Sequence, residues 1–148
     1  MGPDGPVAHQ TAEMLGRGKV VLIGVPGAFT RGCSRVHLPG YISRLDELRA
    51  AGVDLVACTA VNDAWVMDAW SKALGADGIV MLADGTAAFA AAMGVTFDIY
   101  PLGTRSQRYA AVIDDGVITS LDIEPMRGID VSSCENILSN RVHAAAES

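Results

Sequence analysis

Aromatic side chains are scarce: three Phe, three Tyr and two Trp make up 5% of the 148 residues, although half of all residues are hydrophobic. The interior must therefore be built from Ala, Val, Ile, Leu and Met, and small side chains of that kind suit close packing of helices on a sheet. Basic clusters are missing as well. Lys and Arg number 11 against 17 Asp and Glu, giving a formal charge of −6 with the acids scattered along the chain. This argues against nucleic acid, whose binding depends on neutralising phosphates with grouped cations. No apolar run approaches the roughly 20 residues of a membrane span, so no membrane partner is expected. The opening residues Met1-Gly2-Pro3-Asp4-Gly5-Pro6 have neither the basic start nor the apolar stretch of a secretory signal. A mildly acidic cytoplasmic protein is the expectation, with an organelle as the alternative where a targeting segment has been trimmed.

Cysteine is sparse and odd in number: Cys33, Cys58 and Cys134. That usage fits a reducing compartment, where disulfides are transient and chemical rather than structural. No pair has the spacing of a CxxC or a zinc knuckle, so neither a metal site nor a cofactor is expected. At this length roughly 68–70% of the unfolded surface can be buried, and one domain over residues 1–148, with a lead-in segment at 1–18, is the default.

Lys19-Val20-Val21-Leu22-Ile23-Gly24-Val25 is a short apolar run rich in β-branched residues. It reads as a strand buried on both faces. Leu38, Tyr41, Ile42, Leu45 and Leu48 recur as a helical stripe closed by Gly52, and Val53 to Thr59 is again a strand. Asn62 or Asp63 caps a helix carrying Val66, Trp70 and Leu74. Ile79–Leu82 reads as a short strand and Thr86–Met93 as a short helix. Tyr109–Ile113 and Val117–Leu121 flank Asp114-Asp115-Gly116, a hairpin signal. Ser132 with Glu135 reads as a capping box for a last helix through Ile137, Leu138 and Val142. Strands alternating with helices and ending in a hairpin predict an α/β fold, a mixed sheet flanked by helices on both faces.

The chemistry concentrates in Gly24-Val25-Pro26-Gly27-Ala28-Phe29-Thr30-Arg31-Gly32-Cys33-Ser34-Arg35-Val36-His37-Leu38-Pro39-Gly40-Tyr41. A strand ends, a Pro/Gly-rich turn follows, and a cysteine falls at the first turn of a helix. There, unpaired N–H groups and the macrodipole lower a thiol pKa. The blander reading makes Cys33 a small buried hydrophobe; its position and the flanking Thr30, Arg31 and Arg35 weigh against that.

Pro26-x-x-x-Thr30-x-x-Cys33 is the signature of the peroxiredoxins, and the longer string resembles the type II, or peroxiredoxin-5, subfamily of the thioredoxin-like superfamily. The resemblance continues through Ala57-Cys58, Val61-Asn62-Asp63-Ala64, Leu82-Ala83-Asp84-Gly85, Arg105-Ser106-x-Arg108-Tyr109 and Asp122-Ile123-Glu124-Pro125, over roughly residues 19 to 140. It implies a thioredoxin-like fold, here N-terminally shortened. It also implies a thiol-dependent peroxidase that reduces hydrogen peroxide and alkyl hydroperoxides through a sulfenic acid on Cys33. In the family the proline shields the site, the threonine hydroxyl and the thiolate share a hydrogen bond and orient the peroxide, and a distant arginine completes the pocket. Carried over, these are Pro26, Thr30, Cys33 and Arg108, with Arg105 competing for the last role; the plain alternative for either arginine is a surface cation. The resemblance further implies a homodimer and a thiol reductant: glutathione, glutaredoxin or thioredoxin.

Full ionisation of a thiol gains at most about thirty-fold, or ~2 kcal/mol, over the few per cent of thiolate present at neutral pH. The rest of a fast peroxide reaction must come from donors aimed at the leaving oxygen, and Thr30, Arg108 and the N–H groups of Gly32 and Cys33 are the expected set. Two departures stand out. Position 31 is Arg where the subfamily usually has Pro, which adds a cation and loosens the turn, and activity is expected to survive it. The N-terminus lacks the extra strand pair of relatives, which exposes part of the sheet or marks a trimmed chain.

Two cysteines compete to resolve the sulfenate. Cys134 falls about one helical turn past the resolving position of animal relatives, near a helix N-terminus that favours a thiolate. Cys58 lies inside an apolar strand, where packing is the commoner role. A one-cysteine cycle with an external thiol is the preferred expectation. His37, four residues after Cys33, invites a cysteine–histidine hydrolase reading, but no third group orients it, and helix packing is the favoured role. Trp65, Trp70 and the methionines are expected in the core or a subunit interface. From another functional class, the chain reads as a redox-sensing or interaction module that signals through oxidised Cys33.

Overall fold

The run from Lys19 to Gly24 forms strand β1, buried along all but its first residue, as a β-branched segment without charges after Lys19 requires when both sheet faces are covered. A computed structural model describes Gly5 and residues 11–30, 36–125 and 129–142. Cys33 and its neighbours at 31, 32, 34 and 35 lie outside the described residues, as does half of the lead-in segment.

A short helix α1 (Thr11–Leu15) precedes β1. After the loop come α2 (Leu38–Ser43), α3 (Leu45–Ala50), β2 (Leu55–Ala60), α4 (Ala64–Leu74), β3 (Val80–Ala83) and α5 (Ala88–Met93). A ribbon of β4 (Thr96–Ile99) and β5 (Gly103–Ser106) leads to β6 (Tyr109–Asp114), β7 (Val117–Ile123) and α6 (Cys134–Ile137), which runs on as a π-helical turn to Val142. The main sheet has the order β3-β2-β1-β6-β7, with β1 parallel to β2, β2 parallel to β3, and the remaining pairs antiparallel.

Alternation along the strands supplies two cores. Val21, Ile23, Cys58, Ala110 and Val112 face the layer holding Leu38, Tyr41, Leu48, Trp70 and Ile137. Val20, Leu22, Ala57, Ala111 and Ile113 face Leu15, Ala90 and Val95. The expected mixed sheet with helices on both faces is thus borne out. Among the described residues no helix is long and apolar enough to cross a membrane.

Local signals held where side chains cap or turn the chain. Asp63 accepts from the Val66 N–H at the start of α4, and Gly75 ends that helix at φ 67°. Asp115 and Gly116 both take positive φ in the β6–β7 turn, the geometry of a two-residue hairpin. Two expectations are corrected. The stripe from Leu38 to Leu48 is two helices rather than one, broken at Arg44, whose φ of −117° leaves the helical region. The last helix is capped by Ser133, which accepts from the Asn136 N–H, because the Ser132 hydroxyl is drawn to the Glu124 carboxylate. Of the two places expected for the tryptophans, core or subunit interface, Trp70 takes the core, while Trp65 is 64% exposed and lies outside it.

Candidate active site

The sheet brings the two ends of the site together. Gly24, the last residue of β1, pairs with Tyr109, the first of β6. The loop that leaves β1 therefore starts beside Arg108, the residue before β6. In that loop Pro26 is half-buried and Gly27 buried, and the Thr30 hydroxyl donates to the Gly27 carbonyl oxygen at 2.6 Å. The loop is tied down from the side by Asn62, whose Oδ1 accepts from the Ala28 N–H at 2.9 Å.

Past the undescribed residues the chain resumes at Val36 and His37. His37 is 1% exposed. Its Nδ1 meets Nη1 of Arg108 at 2.9 Å and its Nε2 meets the Ser132 carbonyl oxygen at 2.9 Å. A guanidinium only donates and a carbonyl only accepts, so the ring is the neutral tautomer protonated on Nε2. Burial foremost, with the Arg108 cation second, lowers His37 from 6.5 to about 4, against the opposing pull of the Ser132 carbonyl and Glu124. The hydroxyl of Tyr41 donates to the same Ser132 oxygen at 2.6 Å.

Thr30 ends the described part of the loop that leaves β1, and His37, where the chain resumes, joins Arg108 to the start of α2. Sequence reasoning cast His37 as a packing residue. It is buried as packing requires, but it also holds the arginine, and with both nitrogens engaged it has no lone pair left for a thiol proton, which removes the hydrolase reading. Arg105, the competing arginine, donates from Nη1 to the Val61 carbonyl oxygen at 2.7 Å and supports the turn that carries Asn62.

The roles of two further residues, Glu124 and Ser132, were missed. Glu124 Oε2 accepts from Ser132 N, Ser132 Oγ and Asp130 N at 2.9, 2.6 and 2.7 Å. Burial pushes its carboxyl up, but these bonds and one from the Val131 N–H hold it below the usual carboxylate range. The only sequence signal was the Asp122–Pro125 motif, which did not say what Glu124 binds.

Neither resolving candidate is a ready thiolate. Cys58 is fully buried in β2. Cys134 is 3% exposed, and burial raises its thiol to about 11, with Arg44 pulling down and Glu47 pushing up. The helix-terminus effect expected at Cys134 loses to desolvation, since α6 has only four residues.

The sheet order, the flanking helices and the loop leaving β1 define a thioredoxin-like protein. The Redoxin family matches residues 3–138. Peroxiredoxin-2E, chloroplastic, of Arabidopsis thaliana is 44% identical over 140 residues, 90% of this chain and 60% of that protein, so the chain spans about three fifths of this relative. Peroxiredoxin-2B of the same plant is 40% identical, with 92% of each chain covered. A crystal structure of reduced Prx3 in complex with H2O2 from Vibrio vulnificus is 50% identical at a TM-score of 0.88, covering 95% of this chain and 85% of that one. The chain belongs to the Redoxin family and, within it, to the peroxiredoxins.

Proposed function

We propose that this chain is a thiol-dependent peroxidase in which Cys33 attacks hydrogen peroxide or an alkyl hydroperoxide. The observation that carries the reading is the Arg108–His37 contact at 2.9 Å, made at the end of the sheet from which the Thr30 loop departs, with Thr30 and His37 standing on either side of Cys33 in the sequence. The Vibrio vulnificus relative described in complex with H2O2 supports the substrate class.

In this reading the Cys33 thiolate forms an S–O bond as the O–O bond breaks. Sulfur is oxidised by two electrons to the sulfenic acid, and the leaving oxygen takes a proton and departs as water or an alcohol. Arg108 stabilises the charge that grows on the leaving oxygen, and the N–H groups of Gly32 and Cys33 serve as further donors. The Thr30 proton is committed to Gly27, so its oxygen acts on the peroxide as an acceptor of the O–H. Pro26 screens the site. One thiol then condenses with the sulfenic acid, releasing water and leaving a mixed disulfide, and a second thiol attacks that disulfide, so that the two thiols leave joined as a disulfide and Cys33 is restored.

The buried states of Cys58 and Cys134 favour an external thiol (glutathione, glutaredoxin or thioredoxin) over an internal resolving cysteine. The resemblance to the subfamily supports a homodimer. Sparse cysteines suit the cytoplasm and the chloroplast named for one relative alike. The deciding experiment follows peroxide consumption with each thiol donor. Turnover abolished by Cys33→Ser supports the enzyme; stoichiometric oxidation without turnover under excess reductant would make the chain a redox sensor instead.

A further inference from the structure

Arg108 is held at both ends by one residue. Its backbone carbonyl accepts from the Glu124 N–H at 2.9 Å, across the β6–β7 pair. Its guanidinium donates to His37, which donates to the Ser132 carbonyl, and Ser132 in turn donates twice to the Glu124 carboxylate. The polar circuit closes on the residue where it began. Its members span residues 37 to 132, and His37 and Ser132 are buried to 1% and 0% exposure.

We propose that Glu124 and Ser132 are positioning residues for the Arg108 guanidinium, acting through His37. The proposal rests on the peroxidase reading of Arg108. Chemistry gives the direction of the effect. An imidazole protonated on Nδ1 presents an N–H, and one turned over presents the Cδ2–H, to a guanidinium that has only N–H groups of its own. The Ser132 carbonyl prevents this by requiring a proton on Nε2, and it stays in place because Glu124 grips the Ser132 N–H and hydroxyl with one oxygen. Tyr41 donates to the same carbonyl and shares in the hold. A buried network of this kind specifies one arrangement when all its members are paired. Glu124 and Ser132 thereby set the geometry of a side chain with which they share no side-chain bond, through His37.

The test uses the full chain with ¹⁵N-labelled histidine. In wild type, the His37 nitrogens should give one protonated Nε2 and one bare Nδ1. In E124A that pattern should shift toward an averaged pair. Removing one preorganised donor at a developing oxyanion costs ~10²–10³ in rate, and here the donor is loosened rather than removed, so the reaction of Cys33 with hydrogen peroxide should slow about tenfold. Alkylation of Cys33 by iodoacetamide, which builds no charge on a leaving oxygen, should barely change.

E124Q keeps an acceptor oxygen at the same reach and should restore most of the rate and the histidine pattern. If E124A does not fold, S132A carries the test, because it deletes the hydroxyl donor and keeps the carbonyl that receives His37. His37 signals that stay unchanged in E124A and S132A overturn the proposal, and so does equal slowing of peroxide and iodoacetamide. A wild-type chain that consumes no peroxide sinks the peroxidase reading instead; the His37 signals then uphold or overturn the coupling by themselves.

Discussion

Nη1 of Arg108 donates to Nδ1 of His37 at 2.9 Å, and 71 residues of sequence separate the two. The contact ties the start of β6 to the start of α2, the element reached immediately after the Cys33 segment. A cation is thereby fixed at the end of the sheet from which the Thr30 loop departs.

The first prediction concerns that cation. Arg108→Ala should slow peroxide reduction by about 10²-fold, the typical cost of losing one preorganised donor at a developing oxyanion. Alkylation of Cys33 by neutral iodoacetamide should change little, because no oxygen leaves in that reaction. Equal slowing of the two would refute the role. Arg105→Ala is the comparator: it removes the support of the Val61 carbonyl and should lower thermal stability before it affects the ratio of the two rates.

Histidine 37 gives a pH signature. Its pKa is 6.5 when exposed and about 4 in the fold, so the unfolded chain binds the extra proton first as pH falls. Stability from this group is full above pH 6.5 and drains away as pH drops toward 4, by up to about 3 kcal/mol at 1.36 kcal/mol per unit. The facing groups are Arg108, Glu124 and Tyr41. Burial takes Tyr41 well above 10. Glu124, held below 4.5, loses its own contribution only at lower pH. Urea unfolding between pH 7 and 5 should therefore show the fall in wild type and a flatter profile in His37→Gln. An identical slope in both would remove His37 as the cause.

How much of this was legible in the sequence depended on how local the signal was. The β6–β7 hairpin, the Asp63 cap and β1 were readable because turn residues, caps and β-branched runs act within a few positions. The β4–β5 ribbon was not, since its strands have four residues each and are largely exposed, without the alternation that marks a half-buried strand. Pro26, Thr30 and Arg108 were picked out through a motif and a resemblance rather than from physics alone. The Glu124–Ser132–His37 link was invisible because its partners are brought together by sheet pairing, and Ser132 read as a cap when Ser133 fills that place.

Thiol reactivity supplies the third prediction. With Cys58 fully buried and Cys134 raised to about 11, a disulfide exchange reagent at neutral pH should label Cys33 rapidly and the other two only on unfolding. Peroxide-treated Cys58→Ser protein, examined by mass spectrometry, should contain oxidised Cys33 and no Cys33–Cys134 disulfide. That disulfide, if found, would overturn the one-cysteine cycle.

The fourth prediction joins stability to the site through Gly24. A Cβ added there would fall inside the ring of Tyr109, which is fully buried and pairs with Gly24 across the β1–β6 ladder. The ring cannot swing into solvent without leaving the core of Val20, Leu22 and Ala111, so the strands must separate instead. Gly24→Ala should destabilise the fold by about 1–3 kcal/mol, the usual cost of overpacking. Because Tyr109 follows Arg108, the same displacement should move the guanidinium and slow peroxide attack more than iodoacetamide alkylation in protein that remains folded. Tyr109→Leu combined with Gly24→Ala should recover much of the lost stability by making room for the methyl group. A double variant as unstable as Gly24→Ala alone would show that the clash is not the cause.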